Sequence, residues 1–326
     1  MPTPGSRPAS GLTFAVLSAL AFALSGPLAR GLLDTGWSPG AVVTARIGTA
    51  AAVVVPFGLL ALRGRWHLLR RNAPAVVAYG VLAVAGAQFC YFSAVQHLQV
   101  GPALLIEYTA PAAVVLWLWL RRGQRPGPLT LVGTAIAALG LLAVLDLFSG
   151  AELDTAGVLW ALGAMVGAAS YFVLSADEDN GLPPLALAAG GLLVAAVLLA
   201  SLGAAGALPL RAGTGDVVYG ARSFAWFWPL VALGVVTAAL AYVAGIAAGR
   251  RLGSRLASFV ALLEVLFAVV FAWALLDELP RATQLAGGVL VLAGVVVVKL
   301  GEGRVRTAAA SAAATAATAT PAGPAG

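Results

Sequence analysis

Long apolar stretches alternate with short polar ones along most of the 326 residues. A helix needs roughly 20 mostly apolar residues to cross about 30 Å of hydrocarbon. Ten stretches meet that need: 11–29, 40–62, 75–95, 100–120 and 129–148, then 156–175, 184–202, 224–248, 256–276 and 282–300. The third and fourth are the hardest to separate, because no Asp, Glu, Lys or Arg occurs between Arg71 and Glu107. That stretch is too long for one span and too short for three, and Gly101-Pro102 marks the turn. The pattern predicts an all-α integral membrane protein with ten transmembrane helices.

Composition supports lipid as the solvent. Apolar residues make up 61% of the chain and charged residues only 10%, against about 25% charged in soluble domains. So few charges cannot cover a water-soluble surface of this size. The single Cys90 excludes an internal disulfide and any cysteine metal site, and His67 and His97 are the only histidines. No metal or cofactor is expected.

The net charge of +6 comes from residues in the short connections. With the N-terminus inside, fourteen of the 19 Lys and Arg fall on the cytoplasmic side, including Arg63, Arg70, Arg121, Arg250 and Arg304. Four fall opposite (Arg30, Arg211, Arg222 and Arg281), and Arg46 is intramembrane. This asymmetry orients the chain with both termini cytoplasmic, in a bacterial-type plasma membrane. Asp177, Glu178 and Asp179 fall inside without a basic residue, but acidic residues weigh little in the rule. Trp37, Trp66, Trp117, Trp119, Trp226, Trp228 and Trp273 fall near span ends, where an amphipathic ring prefers the headgroups. Residues 301–326, rich in Ala and Thr and ending in Pro and Gly, read as a disordered cytoplasmic tail.

The two halves of the chain align. Gly133 and Gly140 match Gly287 and Gly294 at an offset of 154, and Ala103 and Pro111 fall on Ala257 and Val265. Ser25 and Pro39 match Ser170 and Pro184 at an offset of 145, and Tyr91 pairs roughly with Tyr242. The likeness of the sixth span to the first argues that the first is retained rather than cleaved as a leader. Five spans per half is an odd number, so the second half enters from the opposite face. Inverted repeats of this kind, here 11–148 and 156–300, build alternating access.

Two segments carry a family resemblance. GPALLIEYTAPAAVVLWLWL runs on into GPLTLVGTAIAALGLLAVL in the first half, and GSRLASFVALLEVLFAVVFAWALLDELPRATQLAGGVLVLAGVVVV closes the second. DELPRATQLAGGVLVLAG is the more specific stretch. The chain resembles the drug/metabolite transporter superfamily in its EamA-type branch, over about residues 11 to 300. Arg46, in ARIG, is similar to a basic residue common in the second span there. Val265 stands where a proline is usual, and the second-half counterpart of Arg46 is a glycine. The resemblance implies transport of amino acids, metabolites or drugs, often outward.

A charge near the bilayer centre costs about 2.5–3.5 kcal/mol on insertion scales and is a functional suspect. Arg46, Glu107 and Glu264 qualify. Pro111 cannot donate a backbone hydrogen bond, so the Glu107 carbonyl one turn earlier is freed. By the repeat, Glu264 corresponds to Ala110, three residues from Glu107 and on the same helix face. Both carboxylates can therefore line one cavity, suited to an ammonium group or a proton. Against that, Glu264 can pair with Arg251 or Arg255, and Arg46 can form a structural pair with Glu107. Ser25, Gln88, Tyr91, Tyr108, Ser170, Tyr171, Tyr242 and Ser258 are further intramembrane polar candidates. Each could instead bond helix to helix. The glycine pairs of the fifth and tenth spans read as close packing inside the bundle, with a homodimer contact as the alternative.

Enzyme signatures are missing, including a phosphate loop and a Ser-His-Asp set. The expected function is secondary transport of a small-molecule substrate, with efflux of amino-acid-like compounds first. A non-transporting sensor or assembly partner is second, and a membrane-embedded enzyme last. No nucleic-acid partner is expected.

Overall fold

A computed structural model describes residues 6–97, 106–123, 126–144, 154–177, 181–276, 282–283, 285–298 and 300–301. The expected tail after Gly301 lies outside them, as does the turn at Gly101-Pro102.

The described residues are mostly helical. The first half begins with α1 (Ser6–Ala23), α2 (Ser25–Asp34), α3 (Pro39–Ala61), α4 (Trp66–Arg71) and α5 (Ala73–Ala78). After a π-helical stretch (Tyr79–Gly86) it continues with α6 (Ala87–His97), α7 (Ala110–Arg122) and α8 (Pro128–Val144). The second half begins with α9 (Thr155–Ser175) and α10 (Pro184–Ala204), then a hairpin of β1 (Val217–Tyr219) and β2 (Arg222–Phe224). After it come α11 (Phe227–Gly234), a second π stretch (Val235–Leu240), α12 (Ala241–Leu252), α13 (Ser254–Ala261), α14 (Leu263–Leu276) and α15 (Leu285–Val298). Among the described residues seven continuous helical runs are long and apolar enough to cross a membrane, and α8 and α15 are shorter apolar helices.

Local chemistry sets the ends. Ser38 caps α3, its Oγ accepting from Ala41 N, and Pro39 follows as a ready-made first helical residue. Asp154 caps α9 by accepting from Ala156 N at 2.7 Å. That bond is the main reason its carboxyl is held below the usual carboxylate range, with His97 Nδ1 beside it at 3.5 Å. The first predicted span does not end at residue 29. It breaks at Leu24, where Gly26-Pro27 follow, and resumes as α2 to Asp34.

The halves break alike in their closing regions. The chain turns at Tyr108-Thr109 before α7 and at Leu262 between α13 and α14, 154 residues after Tyr108. Pro111 therefore lies in the first turn of α7 rather than kinking a helix interior. The second half breaks there with Val265 in place of a proline. The π stretches also correspond: they end at Gly86 and Leu240, again 154 apart. Measured from those ends, Tyr91 corresponds to Gly245, one turn away from the Tyr242 pairing predicted by sequence.

An all-α chain needs one correction. Residues between α10 and α11 form a two-stranded antiparallel hairpin, with Val217 opposite Phe224 and Tyr219 opposite Arg222. Gly220 turns it with φ +54°, a left-handed conformation that favours glycine. The hairpin region docks on α2 and the start of α3. Tyr219 donates its hydroxyl to Leu28 O (2.7 Å), Trp37 Nε1 donates to Gly213 O (2.7 Å), and Ser38 Oγ donates to Pro209 O (2.7 Å). Burial pushes the Tyr219 phenol up, and nearby Asp34 adds to the shift.

Helix α3 packs along α10, α1 along α12, and α6 along α9. One core gathers Leu32, Ile47, Tyr79, Leu192, Leu233 and Tyr242, all almost fully buried. A second gathers Ala15, Leu252, Leu256, Phe259, Val260 and Val298. Large apolar side chains such as Leu120 (72% exposed), Val289 (67%) and Leu159 (64%) cover the outside, as lipid-facing positions should. The glycines of α8 and α15 face each other: a Cβ on Gly133 would lie 2.8 Å from Gly294 O and 2.7 Å from Val298. That stripe is spent within the chain. Gly133→Ala is expected to destabilise the protein by about 1–3 kcal/mol, the usual cost of overpacking, read as an earlier thermal transition in detergent.

Candidate functional site

A cavity of about 620 Å³ lies inside the bundle. Its lining runs from Ala15, Ala248 and Ala257 up to Arg30, Leu33 and Asp34 at the end of α2. Arg30 and Asp34 form an exposed pair at 3.4 Å, so the cavity reaches the surface beside them. The opposite end is shut. A Cβ on Gly11 would sit 2.8 Å from Arg251 and Leu252, and the Arg251 guanidinium stacks 4.6 Å above the Phe14 ring.

Ten of the eleven sequence candidates line this space: Ser25, Arg46, Gln88, Tyr91, Glu107, Tyr108, Tyr171, Tyr242, Ser258 and Glu264. Ser170 does not. Its hydroxyl turns back to Val166 O in its own helix at 2.8 Å, the usual way for a helical serine to satisfy itself.

Arg46 is 1% exposed, yet it is not salt-bridged to a carboxylate among the described residues. Nε donates to Thr237 Oγ1 (3.1 Å), one terminal nitrogen to Thr237 O (2.6 Å), and the other to Gln88 Oε1. The structural Arg46–Glu107 pair is thus replaced by polar bonds to two other helices. The physical reason lies in the π stretches. Widening a helix by one residue disturbs the regular carbonyl pairing, and Thr237 lies in the second stretch. A guanidinium with five donors can bond the Thr237 hydroxyl and carbonyl together. Phe22 adds its ring 5.9 Å from the guanidinium carbon. Sequence reasoning missed Thr237. Its signal was one hydroxyl inside the apolar run GVVTAAL.

Glu107 sits just before the first-half break and Glu264 just after the second-half one. Neither forms an ion pair among the described residues. Tyr108 lies within hydrogen-bonding reach of the Glu264 carboxylate. Arg251 bonds Ala247 O and stacks on Phe14, so it is not the partner of Glu264. Phe22, Tyr171 and Tyr242 meet edge to face at 5.2–6.3 Å and form an aromatic wall. The site thus offers two carboxylates, one fixed guanidinium and several ring faces. Among the described residues no cluster of His, Cys, Asp or Glu could hold a metal ion.

Comparison with known proteins agrees with this architecture. The EamA-like transporter family matches residues 9–145 and again 155–300. The threonine/homoserine exporter RhtA of Salmonella typhimurium is 26% identical over 216 residues, covering 65% of this chain and 64% of the relative. The Escherichia coli protein of the same name is 27% identical over 214 residues, with the same coverage. The chain thus spans 64% of the length of these curated relatives. An uncharacterized transporter of Archaeoglobus fulgidus is 28% identical over 227 residues, covering 70% of this chain and 76% of that one. A solved crystal structure, 24% identical, superposes with a TM-score of 0.70 over 90% of this chain and 98% of its own, a likeness of fold alone. A family matched once in each half, over a helical membrane bundle with a central cavity, fixes the kinship: the chain belongs to the EamA-like transporter family.

Proposed function

We propose that this protein is a secondary transporter that exports small amino-acid-like compounds or drugs by alternating access. It would cross a bacterial-type plasma membrane ten times, as inverted five-helix halves at 11–148 and 156–300, with both termini cytoplasmic. One observation carries the proposal: Glu107 and Glu264 face a single cavity without ion-pair partners among the described residues. A carboxylate held in an apolar bundle is costly, and its retention favours a ligand that completes it. An ammonium group or a proton does so. The aromatic wall adds cation–π attraction for the same group. Arg46 leaves positive potential nearby, which suits the carboxylate of a zwitterion. The volume falls in the usual range for small-molecule sites, about 300–1,000 Å³. Relatives named as threonine and homoserine exporters support an amino-acid class. Their names and the family speak for transport and against an enzyme.

The test is a thermal-shift screen of purified protein against amino acids, nucleosides and cationic drugs, followed by flux in proteoliposomes. Dose-dependent stabilisation by an amine-bearing compound that also crosses the membrane is expected. Stabilisation without flux would favour a sensor.

A further inference from the structure

Two glycine positions in the cavity wall, each matched by the repeat to a tyrosine of the other half, behave differently. Gly245, on α12, is covered by Tyr171 from α9. A Cβ built on Gly245 would overlap the Tyr171 hydroxyl and lie 2.8 Å from Ser18 Oγ. One turn further on, a Cβ at Gly249 would sit 3.2 Å from Ser175. Helices α9 and α12 therefore meet along a tight seam, on the side where the cavity is shut. The Tyr171 hydroxyl is buried there beside Ser18, whose Oγ donates to Ala241 O at 2.9 Å.

The offset of 145 that matches Ser25 with Ser170 carries Tyr171 onto Gly26. The offset of 154 shared by the π ends carries Gly245 onto Tyr91. The first half thus holds the same two residue types with their places exchanged: glycine on the first span, tyrosine on the third. Gly26 and Tyr91 both line the cavity, on its open side. Here the seam is apart, and a Cβ on Gly26 meets nothing within 4 Å.

We infer that Tyr171 on Gly245 and Tyr91 on Gly26 are reciprocal latches, one closing each end of the cavity and only one seated at a time. This rests on the transport reading above. In the structure described, the Tyr171 latch is shut and the mouth beside Arg30 and Asp34 is open. In the alternate state Tyr91 seats on Gly26 and Tyr171 leaves Gly245. Inverted repeats supply the reason, since exchanging the conformations of the two halves exchanges the two seams. A glycine is needed at each seat because a side chain there would occupy the place of the tyrosine.

The variants separate the two states. Gly26→Val adds bulk to open space here, yet it blocks the Tyr91 seat and so burdens only the alternate state. Gly245→Ala collides with Tyr171 and burdens only the present one. A reporter cysteine at cavity-lining Ala261, in a Cys90→Ser background, is labelled with a membrane-impermeant maleimide from each side of the membrane. The parent should react from both sides. Gly26→Val should keep its labelling from the mouth side and lose about tenfold or more from the other, as expected when overpacking loads one of two states. Gly245→Ala should raise labelling from the side opposite the mouth. If Gly26→Val labels like its parent, or loses mouth-side labelling, the latch is wrong although alternating access stands. If the parent labels from one side only, alternating access fails and the latch with it.

Discussion

Arg46→Lys is expected to lower the stability of the protein by about 3 kcal/mol and to abolish transport of every substrate alike. Hydrogen bonds to charged groups contribute about 1.5–3 kcal/mol each, and a lysine can keep at most part of the three that Arg46 makes. The fork geometry is what reaches Thr237 twice and Gln88 once. An ammonium is a point charge on a flexible stem and cannot span that set. The bonds that would be lost join the second span to both π-containing helices, so the whole cavity wall would loosen. Thermal unfolding in detergent gives the stability, with Thr237→Val as the milder comparison because it removes only the hydroxyl. If Arg46→Lys unfolds at the parent temperature and loses only carboxylate-bearing substrates, the guanidinium is a substrate ligand instead of a strut.

Glu107→Gln and Glu264→Gln should act in the opposite way, lowering transport while sparing the fold. Glutamine keeps the shape and removes the charge. Relieved of a charge that costs about 2.5–3.5 kcal/mol near the bilayer centre, each variant should be as stable as the parent or more so. Losing one partner of a buried charge contact costs about 2–5 kcal/mol in binding, so transport of an amine-bearing substrate should fall on the order of a hundredfold. Initial rates in proteoliposomes, beside unfolding curves of the same preparations, separate the two effects. Variants that unfold early yet transport normally would make both carboxylates structural.

The membrane character and most of the polar cavity lining were legible in the chain because both follow from scarcity. With 10% charged residues, each intramembrane Glu or Arg stands out against an apolar background. Partners were not legible. Electrostatics alone suggests a carboxylate for Arg46, but a backbone carbonyl as acceptor has no sequence letter, and the π stretches that position Thr237 leave no periodic mark. Ser170 looked equivalent to Ser25, yet helical phase decides which serine meets the cavity. Ser25 stands at a helix start after the break at Leu24, whereas Ser170 lies inside the unbroken α9. The β-hairpin was hidden for a different reason. Its two strands of three residues are too short for alternation to show, and their stability comes from docking on α2.

The most direct test of inverted halves is the side of the membrane on which each half ends. Reporters active on only one side, fused after Phe148 and after Leu300, should give opposite signals, the second one cytoplasmic. Equal signals would mean that the halves run parallel, and the exchange of conformations proposed for the cavity could not occur.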